Sequence, residues 1–129
     1  MRVILKTVTK PDRVNSNGYM ITEKALRESI SNMDESTRKS VYLGYSYDPD
    51  RIMEPVGIVE EYDLEKGEVV VDINESKLQD LGDLKGYVIG ASFLAKPPLR
   101  EDSEVIVFDE IEIGGFGIFR KTDAIKYID

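Results

Sequence analysis

Ser92, in Gly90-Ala91-Ser92-Phe93, places a hydroxyl on an apolar stretch of a chain that contains no histidine and no cysteine. A serine hydroxyl attacks a carbonyl only once a neighbouring base takes its proton, and imidazole is the commonest base with a suitable pKa. Acyl transfer at Ser92 therefore needs an unorthodox base. A Ser–Lys dyad through Lys85 or Lys96 is one candidate, and it requires a lysine desolvated enough to be neutral near pH 7. Lys96 falls on the same strand face as Ser92 but about 13 Å away by strand rise. Lys85 lies across a turn. The plainer role for Ser92 is a small strand residue whose hydroxyl bonds to backbone, and the missing base favours it.

Three other groupings bear on chemistry. Asp48, Asp50 and Glu54 form an acidic loop, but it lacks the glycine and terminal acid at the spacing an EF-hand requires. Gly114-Gly115-Phe116-Gly117 has the look of a phosphate cradle. No lysine-bearing helix start follows it, so it reads as a bend or bulge. Tyr42, Tyr45 and Tyr47 form a candidate interface, because tyrosine offers rigid area with a polar tip, although one half-covered sheet face explains them equally well. No cofactor or metal site is expected, since a zinc site built from carboxylates alone is rare.

These residues sit in a chain of 129 residues with 41% hydrophobic and 33% charged side chains, the profile of one globular domain spanning residues 1–129. The net charge of −8 argues against nucleic acid as a partner, because that affinity comes from lysine and arginine neutralising phosphates. Solubility is the ordinary reason for such acidity, and a basic protein surface is the sharper one. Met1 to Lys6 is too short for a signal-peptide core and reads as a strand, so a cytosolic or host-cell interior setting without a membrane is expected.

The elements that position these groups follow from periodicity. Val3 to Thr9 reads as an opening strand, and Asn17-Gly18 as a turn. Thr22 offers an N-cap to a helix over Thr22 to Met33, carried by Ala25, Leu26, Ser29, Ile30 and Met33. Val41 to Tyr45 is a strand. Pro55 to Tyr62 and Glu68 to Ile73 pair as a hairpin around Glu65-Lys66-Gly67. Lys77 to Leu84 predicts a short helix weakened by Gly82. Tyr87 to Ala95 is the strand carrying Ser92, ended by Pro97-Pro98. Glu104 to Ile113 alternates as one strand, Gly117 to Phe119 continues it, and the tail from Asp123 predicts a short helix. The expected class is α+β: a small, curved antiparallel sheet or barrel with two or three helices.

The order of these segments resembles the prohead (capsid maturation) proteases of tailed bacteriophages, distant relatives of the herpesvirus maturation protease. Asp12-Arg13-Val14-Asn15-Ser16-Asn17-Gly18 and the Thr22 helix are similar to that family's opening strand, turn and first helix. Tyr42-Leu43-Gly44-Tyr45-Ser46-Tyr47-Asp48-Pro49 resembles the segment that delivers a histidine followed by an acid. Glu54-Pro55-Val56-Gly57-Ile58-Val59 resembles the strand after it, and Gly86 to Phe93 the nucleophile strand. Asp109-Glu110-Ile111-Glu112-Ile113, with Thr122-Asp123-Ala124 beyond, resembles the closing strand that brings a third polar residue.

The resemblance implies a prohead-protease-like fold over nearly the whole chain, with Ser92 at the nucleophile position. Tyr47 stands at the histidine, or Asp48 if the loop shifts by one, and Glu110 or Glu112 at the acid. A phenol with a pKa of about 10 is a poor base at neutral pH, and a carboxylate is too weak without desolvation. The implied protein is therefore a non-catalytic virion component, an auxiliary or decoration protein of the capsid assembled in the host cytoplasm. Its partners would be the major capsid protein and other head proteins, with self-association as a further partner class. The alternative is an active prohead maturation serine protease that uses Ser92 with a non-histidine base.

Overall fold

Alternation in Glu68–Ile73 sets the pattern for the molecule, because Val69, Val71 and Ile73 point inward at 0–1% exposure while their neighbours face out. The computed structural model describes residues 1–33, 39–44 and 54–127. Among the described residues six strands form the main sheet: β1 (Arg2–Lys6), β3 (Ser40–Leu43), β4 (Gly57–Asp63), β5 (Glu68–Ile73), β6 (Tyr87–Ala95) and β9 (Ile111–Arg120). Their order across the sheet is β1-β5-β4-β3-β9-β6. A smaller sheet, in the order β2-β8-β7, holds β2 (Tyr19–Ile21), β7 (Arg100–Asp102) and β8 (Val105–Phe108).

The main sheet curls until its two edges touch. Thr7, just past β1, bridges Ile89 on β6, and the Val8 N–H donates to the Ile89 carbonyl at 2.8 Å. Two residues on, the chain has moved away from the ladder, and the Thr9 hydroxyl accepts the Ala91 N–H at 2.9 Å instead. Beyond Ala91 the seam opens. The class is α+β, as periodicity predicts, but the sheets are mixed rather than antiparallel: β3 runs parallel to β9, and β2 parallel to β8. Both pairs join segments distant in sequence, so no tight turn forces the strands to reverse.

Among the described residues helix is scarcer than expected. Helix α1 (Glu23–Ser31) is the one helix of normal length among them, capped by Thr22, whose hydroxyl accepts the Ala25 N–H at 3.1 Å. It buries Ala25, Leu26 and Ser29 against the sheet. The second, α2 (Leu78–Leu81), is a single turn that stops where Gly82 takes φ +67. The tail forms a 3₁₀ turn over Lys121–Asp123 rather than a helix, and Tyr127 then bridges Asn15 in extended form. The strand expected from Glu104 to Ile113 is broken at Asp109 and Glu110, which separate β8 in the small sheet from β9 in the large one. A two-residue interruption preserves the inward parity of Val107, Ile111 and Ile113, so alternation cannot reveal it.

One core joins these parts, with Phe116, Leu26, Ile89, Ile113 and Ile118 among its fully buried side chains. Phe93 packs edge-on against Phe108 with centroids 5.7 Å apart, which seats the small sheet beneath the end of β6. Gly114 is the bulge expected of the glycine run, since Ser92 pairs with Gly115 and Phe93 with Ile113. Next to the bulge, the buried Ser29 hydroxyl accepts the Ile113 N–H at 3.1 Å and ties α1 to β9. Ser29→Ala leaves that N–H unpaired in the interior, and a loss of about 1–3 kcal/mol is expected in urea unfolding.

Candidate functional site

Ser92 is placed by the parity of β6. Ile89, Ala91, Phe93 and Ala95 turn to the core, which sends Ser92 and Leu94 to the opposite, exposed face. Across the ladder Ser92 faces Gly115, and on the far side of β9 the ring of Tyr42 lies beside Gly115. A Cβ at Gly115 would stand 3.5 Å from the Ser40 carbonyl oxygen and 3.7 Å from Tyr42 Cε2, ordinary contact distances that a small side chain could occupy.

The expected groups converge only in part. Glu112 sits opposite Leu94, one alternation from Ser92 on the same face. Lys96 Nζ lies 3.8 Å from Glu110 and 4.0 Å from Glu112 and makes no hydrogen bond to Ser92. Lys85 is on the 3₁₀ turn Leu84–Gly86 that precedes β6, with five strand residues between that turn and Ser92. Among the described residues the Ser92 hydroxyl has no hydrogen-bond partner, so the backbone bond expected for it is not found there. Tyr45, Tyr47, Asp48 and Asp50 lie outside the described residues. Glu54 pairs with Lys77 at 2.7 Å, which holds its carboxyl below the usual range. Among the described residues no three acidic side chains gather into a metal-binding group.

Sequence reasoning misses the neighbours that give Ser92 its surroundings. A cavity of about 260 Å³ beside the serine is lined by Thr9, Asn15, Tyr19, Phe93 and Tyr127. Tyr127 comes from the far end of the chain, and its hydroxyl donates to the Val8 carbonyl at 2.7 Å and accepts the Lys10 N–H at 2.9 Å. No local pattern links residues so distant in sequence; an aromatic near a chain end is the one signal, and it is weak.

Chemically, the arrangement presents an exposed hydroxyl, a carboxylate one alternation away and an ion-paired lysine. Among the described residues no group is set to take a proton from Ser92. Comparison with protein-family models, curated proteins and solved structures finds no match to this chain.

Proposed function

We propose that this protein is a non-catalytic structural component of a phage head, built on a prohead-protease-like scaffold and bound to the capsid shell as an auxiliary protein. The observation that carries the reading is the exposed Ser92 hydroxyl with no base beside it among the described residues, in a chain that has no histidine, while Lys96 engages Glu110 and Glu112. The phage setting rests on the ordered segments that resemble the prohead proteases, and fold likeness alone does not fix function.

Two measurements test it. Incubation of the folded protein with a fluorescent phosphonate is expected to leave Ser92 unlabelled. Quantitative mass spectrometry of mature particles from the encoding virus is expected to find the full-length chain at capsid-like copy number. Labelling of Ser92, together with cleavage of a capsid or scaffold peptide that Ser92→Ala abolishes, would establish the active protease instead.

A further inference from the structure

The chain carries −8 overall, yet one cavity inverts that sign. The cavity, of about 590 Å³, lies on the outer side of the seam and is lined by Lys6, Lys10, Lys66, Lys121 and Lys126 against a single acid, Glu65. Five of the chain's lysines thus give this wall a formal +4. They arrive from three separate places: β1 and its continuation, the β4–β5 turn, and the segment after β9. Lys6 pairs with Glu68 at 2.9 Å, and Lys10 sits 5.8 Å from the centroid of the Tyr127 ring. Glu65 is drawn off by Arg27 at 3.0 Å. Lys66, Lys121 and Lys126 are exposed and have no acidic partner among the described residues. Between the cations the floor is largely apolar, with Val8, Leu64, Val88 and Ile125.

We propose that this cavity binds a short acidic peptide segment of a partner protein, its carboxylates on the lysine rim and an apolar side chain on the floor. Three features select that ligand. The cations stand on several sides and are lysines on flexible stems, whereas a lone phosphate is usually gripped by an arginine fork or convergent backbone N–H groups. The apolar floor suits a side chain between charges. The surface beyond the cavity is acidic, so a long polyanion such as nucleic acid would be repelled wherever it ran past the rim. This site stands whether or not Ser92 is inert.

The test is fluorescence anisotropy with a short fluorescein-labelled peptide of alternating aspartate and leucine, at low and at physiological salt. Binding is expected, weaker at the higher salt. Lys121→Glu/Lys126→Glu should lower the affinity about tenfold, which corresponds to reversing two exposed ion pairs. Lys24→Glu/Lys96→Glu changes net charge equally, on α1 and just past the end of β6 far from Val88, and should stay within about twofold. All four residues are exposed, and circular dichroism verifies that both variants fold. Absence of binding overturns the proposal, as does an equal loss in the two variants. Tighter binding of inorganic phosphate or a single-stranded oligonucleotide reassigns the cavity. Sedimentation showing dimers that only Lys121→Glu/Lys126→Glu dissolves would give it to a second copy of the chain, and also overturn the proposal.

Discussion

Phe116→Ala is expected to lower the unfolding free energy by about 3–5 kcal/mol, the range for removing a buried aromatic ring. Phe116 is 2% exposed on β9, pairs with Ala91 on one side and Val41 on the other, and meets the Tyr62 ring at 6.1 Å. Truncation opens a cavity at the centre of the curled sheet, where strands held by two ladders have little room to collapse. Urea unfolding should show a lower midpoint at unchanged slope, and Phe116→Leu should recover most of the loss because it keeps much of the volume. A loss below about 1 kcal/mol for the alanine variant would contradict this placement of β9 in the core. The same strand carries Gly115 and Gly117, so its packing also sets the surface on which Tyr42 and Ser92 lie.

Tyr127→Ala is the second large effect, with an expected loss of about 2–4 kcal/mol, somewhat less than for a fully buried ring. The ring separates the lysine-lined cavity from the one beside Ser92 and borders both. Arg13 stacks over it at 5.3 Å. Its hydroxyl serves Val8 and Lys10, the two chain positions at which the segment leaves the seam. Tyr127→Phe isolates that hydroxyl and should lose about 1–2 kcal/mol, since two backbone groups then lack a partner.

The phenol also predicts a pH dependence. Burial raises the pKa of both Tyr127 and Tyr62 above the ordinary value of 10.0, the latter despite a 3.3 Å hydrogen bond with Thr7. The folded state therefore holds these protons more tightly than the unfolded chain does. Their contribution is complete below pH 10.0 and is lost as pH rises through the raised folded values. Urea unfolding followed from neutral to strongly alkaline pH should show stability falling only above that point. Tyr127→Phe/Tyr62→Phe should flatten the decline, and an unchanged slope would contradict the assignment.

Much of the scaffold is legible in the residues themselves. The Thr22 cap, the face of α1, the β4–β5 hairpin, the full length of β6 and the bulge in the glycine run each follow from local pattern. The absence of histidine likewise decides, without coordinates, that Ser92 has no imidazole to activate it. Parity alone is enough to turn Ser92 and Glu112 away from the inward faces of their own strands, because side-chain direction in a strand is a local property.

Partner choice is not local. Whether β3 lies beside β9, whether β8 leaves the strand that β9 continues, and where the sheet closes depend on which distant surfaces bury best together. The interrupted strand at Asp109-Glu110 shows the limit, since two pleats out of register with one sheet look identical to one strand in sequence. The lysine cavity shows it again: five cations dispersed through an acidic chain carry no pattern until the seam at Thr7 and Ile89 draws their segments together. The sequence by itself determined most of the elements, their inward faces and the absence of an imidazole. The tertiary structure alone decided the neighbours, because electrostatic fields and cavities are sums over residues that only folding brings close.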